Sequence, residues 1–138
     1  MNNKFKALYN LIMSLKPVWD ESTTEERNYL ETVIGAGIFY LPTNKNTFSG
    51  YISEQALRVD KKQRVKEHQW PRKITAKILL QNPPSSVEEL SELYHTKYGT
   101  WNWVTKQENS ELRKSQKEGV FSTPEESYKQ TGVKMTIL

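Results

Sequence analysis

The chain contains no cysteine. That excludes disulfides and thiolate zinc sites, and it fits a reducing compartment. No apolar run approaches the roughly 18 residues that cross a bilayer, so no membrane span is expected. Histidine is scarce too: with only two in 138 residues, any imidazole chemistry must centre on His68 or His95. Apolar residues make up 36%, below the usual share of about 45–50%, which predicts a rather polar, soluble protein with a modest core. Disorder is not expected, because seven tyrosines and four tryptophans are more aromatics than disordered chains carry.

What is present suits one compact domain in length. Formal net charge is +4 and the isoelectric point is near 9.2, a mild pointer to an anionic partner such as nucleic acid. The opening "MNNKFKALYNLIMSLK" has some signal-peptide character. Asn10 and Ser14 interrupt its apolar run and no small-residue cleavage site follows, so it reads as the first helix of a cytoplasmic protein. Phe5, Leu8, Ile12 and Leu15 form one stripe there, and Pro17 is expected to end the helix.

A second helix is expected after Thr23 or Thr24, with Glu25 and Glu26 at its positive end. Its wide apolar face comprises Tyr29, Leu30, Val33, Ile34, Ile38 and Phe39. "GAG" at 35–37 lacks phosphate-loop spacing and has no strand before it, so close helix packing is the expected role. Residues 41–50 read as a loop, and Ser53 as the cap of a short helix within 51–59. From Arg58 to Lys77 the chain is strongly basic around His68. A short helix at 73–81 follows. Ser86 and Glu89 then read as a capping box for a helix over 86–98, which Gly99 stops. His95 is expected at a surface or core edge.

"TWNWV" alternates as a strand with Trp101 and Trp103 on one face, where core is a commoner role than DNA stacking. Thr105 and Glu108 form a second capping box and open another helix at once. In "STPEESYKQ" there is a cap followed by proline at the first helical position, and "VKMTIL" reads as a terminal strand.

Two segments carry the chemistry: "KEHQWPRK" at 66–73 and "WNWVTKQENSELRKSQ" at 101–116. Their order of Glu-His, a proline and basic pair, a strand asparagine and an asparagine on a capped helix resembles the HNH, or ββα-metal, endonucleases of phage and homing type. The resemblance covers residues 64–116. It implies an α+β fold: a mostly helical single domain around a hairpin-helix module. The organisation expected is a helical region at 1–60, a nuclease core at 61–118 with a helical insertion at 73–98, and an extension at 119–138.

By resemblance the protein is a metal-dependent DNA endonuclease, a hydrolase of phosphodiester bonds using one divalent cation, Mg²⁺ or Mn²⁺. His68 would be the general base, Asn102 the catalytic brace of the histidine loop, and Glu67 and Asn109 the metal ligands. Arg64, Lys66, Arg72 and Lys73 would bind DNA phosphates. Those residue types suit the reaction. Imidazole titrates near neutrality, a hard cation takes oxygen ligands, and guanidinium holds phosphate in bidentate fashion. Two departures stand out: Glu67 occupies a position where the family uses Asp, and the insertion is long. Adjacent strand residues also point to opposite faces, so Glu67 and His68 act together only where the strand ends or twists. The partner the resemblance implies is DNA, no membrane partner is expected, and cutting both strands would imply a homodimer or sequential nicks. The alternative is a non-catalytic DNA-binding or helical interaction protein whose basic run is a solvated surface.

Overall fold

The computed structural model describes residues 3–42, 47–119 and 121–138. In chain order its elements are α1 (Asn3–Glu21), α2 (Thr24–Phe39), β1 (Phe48–Ser53), α3 (Glu54–Arg58), β2 (Arg64–His68), α4 (Arg72–Gln81), α5 (Val87–Leu93), β3 (Trp101–Thr105), α6 (Lys106–Glu118), α7 (Pro124–Thr131) and β4 (Met135–Ile137). This is an α+β protein, and none of its described helices is long and apolar enough to cross a membrane. It divides into two compact units, one of Met1–Thr43 with Pro71–Tyr98 and the other of Asn44–Trp70 with Gly99–Leu138. The segment 73–98 thus groups with the N-terminal helices, and the tail groups with the strands.

In the helical unit, Phe5, Leu8 and Ile12 of α1 are buried as their spacing requires, while Leu15 is partly buried. Pro17 does not end the helix, which runs on to Glu21. The helical bond that proline cannot donate is offset by contacts that anchor the last turn. Trp19 is buried there and its indole Nε1 donates to Glu31 Oε2 at 3.0 Å. Arg27 Nε donates to the Trp19 carbonyl at 2.8 Å, with its guanidinium lying over the indole.

Thr23 caps α2 with a full capping box to Glu26. The buried stripe of α2 is Glu31, Ile34, Gly35 and Ile38, narrower than the expected face. Tyr29 is exposed because it sits five residues before Ile34, about 140° around the helix. Phe39 is exposed as well, and carries the Arg72 guanidinium 4.3 Å from its ring centroid. The "GAG" segment is helical and closely packed. A Cβ on Gly37 would meet Leu8 Cδ1 at 2.9 Å, and one on Gly35 would lie 3.8 Å from the Arg72 backbone.

Ser86 caps α5 by accepting from the Glu89 amide. The box is only half formed, because the Glu89 carboxylate takes the Ser85 hydroxyl instead. A π-type turn at Tyr94–Tyr98 follows and ends at Gly99. His95 lies at the core edge, with Nδ1 2.7 Å from the Ser91 carbonyl oxygen and its ring beside Phe5. One apolar cluster unites α1, α2, α4 and α5, with Ile12, Ile34, Ala76 and Leu80 fully buried.

The strands of the second unit form one sheet in the order β2-β3-β1-β4. β1 runs parallel to β3, and the other two pairings are antiparallel. β1 corrects the reading of 41–50 as loop and of 51–53 as the approach to a helix. Residues 43–46 of that loop lie outside the described residues. Ser53 still caps α3, because its side chain accepts from the Ala56 amide while its backbone ends the strand. Thr105 and Glu108 form the expected capping box at the start of α6. α7 begins with Thr123 and Pro124, stops at Gly132 with φ 74°, and leads into β4.

Candidate active site

β2 and β3 pair in a continuous five-residue ladder: Arg64 with Thr105, Val65 with Val104, Lys66 with Trp103, Glu67 with Asn102 and His68 with Trp101. Alternation then sorts the candidates onto two faces. Glu67 and Asn102 share one face with Val65 and Val104. His68, Lys66 and Arg64 share the other with the two tryptophans. The strand runs through His68, so Glu67 and His68 point to opposite sides. Pro71 lies three residues too late to break it between them.

On the first face Glu67 is 4% exposed and Asn102 is 1% exposed. Glu67 Oε2 accepts from Tyr128 Oη at 2.8 Å and from Asn102 Nδ2 at 3.3 Å. The same amide donates to Tyr128 Oη at 2.7 Å. Asn102 Oδ1 accepts from Ser49 Oγ on β1 and from Gln69 Nε2 at 3.0 Å. Thr100 Oγ1 donates to Gln69 Oε1 at 3.0 Å, and the Gln69 amide donates to the Thr100 carbonyl. Asn102 therefore ties down the residue that follows His68 and links β1, β2, β3 and α7 in one network.

Burial pushes the Glu67 carboxyl up to about 7, against the two hydrogen bonds from Tyr128 and Asn102 that favour its ionised form. The charge of Glu108 adds to the rise. Burial, and then the Glu67 charge, push the Tyr128 phenol well above its usual range. Glu108 is itself buried, and its Oε1 accepts from the Thr105 amide and the Ser53 hydroxyl. Asn109 follows it at the end of the first turn of α6 and is half-buried.

The second face is basic and aromatic. Trp101 is buried, its Nε1 donates to Thr47 Oγ1 at 3.1 Å, and Trp103 meets it edge-on with ring centroids 4.9 Å apart. Lys66 Nζ stands 4.6 Å from the Trp101 ring centroid. His68 is half-buried beside this cluster, and Arg64 Nε donates to the Ala56 carbonyl at 2.8 Å. Arg72 and Lys73 open α4 in the helical unit, where Arg72 stacks on Phe39 and Lys73 Nζ donates to Asn28 Oδ1.

Among the described residues no group of three or more His, Cys, Asp and Glu side chains could hold a metal. The implied donor set needs only one carboxylate and one amide oxygen. By its chemistry such a pair suits a hard cation only with Glu67 ionised. Its Oε2 is taken by two donors, while Oε1 accepts no hydrogen bond among the described residues. A divalent cation at Oε1 would favour ionisation, opposing the burial that favours the proton.

Tyr128, Ser49 and Gln69 escaped sequence reasoning. Tyr128 lies 61 residues from Glu67 on a short helix whose cap-and-proline start says nothing of that partner, so only the docked tail reveals it. No family model, curated protein or solved structure matches the chain.

Proposed function

We propose that the chain is a metal-dependent DNA endonuclease of ββα type, with His68 as general base. The observation that supports this best is the β2–β3–α6 unit itself. Two antiparallel strands bring Glu67 opposite Asn102, and a capped helix bearing Asn109 starts directly after the second strand. The bond from Gln69 to Asn102 supports a bracing role for Asn102, because it anchors the residue next to the proposed base.

In this reading an imidazole nitrogen of His68 takes the proton of the attacking water. Glu67 and Asn109 would hold the divalent cation, which would supply electrostatic stabilisation of the phosphorane and of the leaving oxygen. Because Glu67 and His68 point to opposite faces of β2, the two serve one phosphate only if the end of β2 twists when DNA binds. Asn102 keeps the His68 segment in place. Lys66 and Arg64 hold the DNA backbone along β2, whereas Arg72 and Lys73 belong to the helical unit and are phosphate contacts by resemblance alone. Cutting both strands takes two such sites, from a dimer or from sequential nicks.

Cleavage of supercoiled plasmid in Mg²⁺ or Mn²⁺ tests the proposal. His68→Ala should lower the rate by about 10²–10⁴-fold with DNA affinity and thermal unfolding nearly unchanged. A variant that cuts like the parent would remove His68 as base.

The burial of Glu67 under Tyr128 and Asn102 favours a second reading, a DNA-binding protein without catalysis in which the network only holds the sheet to α7. That protein would bind DNA with strong salt dependence and cut it in no divalent metal.

A further inference from the structure

The β2–β3 ladder has two ends, and His68 sits at only one of them. At the other, Arg64 pairs with Thr105. Beside that end lies an open cleft of about 570 Å³, lined by Gln55, Arg58, Gln63, Thr105, Lys106 and Gln107 with Val59. Its lining therefore holds two cations, three carboxamides and a hydroxyl, and no carboxylate. Gln55, Arg58, Gln63, Lys106 and Gln107 are exposed, and neither Arg58 nor Lys106 has an acidic partner in an ion pair among the described residues. Two unneutralised cations facing one cleft repel each other and favour an anion between them. The carboxamides of Gln55 and Gln63 add neutral donors suited to phosphate oxygens, while that of Gln107 donates to Glu111 Oε1 at 3.2 Å.

We propose that this cleft holds backbone phosphates of the DNA strand that passes His68, an extension of the contact surface that rests on the DNA reading above. The spacing suits that strand. Arg64, Lys66 and His68 alternate along one face of β2, and the ladder from His68 to Arg64 spans about 14 Å at roughly 3.4 Å per residue. One DNA strand also advances about 3.4 Å per nucleotide along its axis. A backbone following β2 from His68 reaches the cleft about four nucleotides away, passing Lys66 and Arg64. The cleft thereby sets the length and direction of DNA that the site engages.

The test is the salt dependence of binding, measured by anisotropy of a labelled duplex with the full chain and no divalent metal. Replacing both cations, Arg58→Gln with Lys106→Gln, should reduce the log–log salt slope by about 1.8, or about 0.9 per lost phosphate. Both side chains are exposed, so thermal unfolding should stay at the parent value. A control pair farther along α6, Lys114→Gln with Lys117→Gln, should leave the slope unchanged. If the parent binds DNA but the cleft pair keeps its slope, the cleft proposal is overturned and the DNA reading survives. An equal loss in the control pair would overturn it too, because net charge alone would then explain the effect. A parent without salt-dependent binding overturns both.

Discussion

The two units bury different chemistry. Among the described residues the helical unit packs twelve buried apolar or aromatic side chains into one cluster, with a buried side-chain hydrogen bond where Trp19 meets Glu31. The sheet unit hides Glu67, Glu108, Asn102 and Ser53 beneath its helices, beside a small apolar cluster of Leu112, Tyr128 and Val133. Apolar burial is non-directional and tolerates adjustment. A buried polar network stabilises only when every member is satisfied, so it specifies geometry at some cost in stability. The helical unit has the chemistry of a scaffold. The sheet unit concentrates buried polar groups.

The comparison can be broken most forcefully in the helical core. Leu80 is fully buried there, and Leu80→Ala should cost about 2–5 kcal/mol in chemical denaturation. A loss below 1 kcal/mol, read against about 2 for the smallest such cavity, would mean that this cluster does not carry the unit's stability.

The next effect is on pH dependence. The Glu67 carboxyl lies at about 7 in the folded protein against an ordinary 4.5. Its proton therefore stabilises the fold fully below pH 4.5, and this contribution is lost as pH rises to about 7. Stability should fall across that window by an amount on the order of 2–3 kcal/mol, more in the parent than in Glu67→Gln. Parallel curves for the two would show that Glu67 is not held protonated. Metal added at pH 8 should restore part of the loss if Oε1 is a ligand, since a ligand of the folded state alone stabilises it.

Tyr128→Phe deletes the hydroxyl shared by Glu67 and Asn102 while keeping the ring. It should cost about 1–3 kcal/mol, because a buried amide hydrogen and a carboxyl oxygen lose a partner together. Cleavage should fall as well if the network positions the site; unchanged cleavage would confine Tyr128 to holding α7. The smallest effect returns to the helical unit. Thr75 is buried with its hydroxyl unpartnered, so Thr75→Val should stabilise by about 1 kcal/mol. Destabilisation in calorimetry would point to a buried water on that hydroxyl.

Local chemistry made much of the fold legible. Thr23, Ser53, Ser86, Thr105 and Thr123 each cap the helix expected of them, because a cap bonds an amide only two or three residues away. β3 was legible from alternation, and β4 falls in the stretch that reads as a terminal strand. β1 was not, since its parallel pairing with β3 brings together residues about 50 apart and its register is broken between Phe48 and Ile52. Pro17 misled because the contacts that hold its turn come from α2. In the site, the residue types and order of Glu67, His68 and Asn102 were legible, whereas their faces depended on the ladder.

The amino-acid sequence by itself determined where the helices begin, which stripe of α1 is buried and which few residues are able to do acid–base or phosphate chemistry. These follow from bonds and periodicities within a few residues. Only the tertiary structure decided that Glu67 is buried under Tyr128, that His68 looks out from the opposite face, and that Asn102 joins three strands and a helix. Those outcomes rest on pairing and desolvation between segments 26–61 residues apart, which no local pattern encodes.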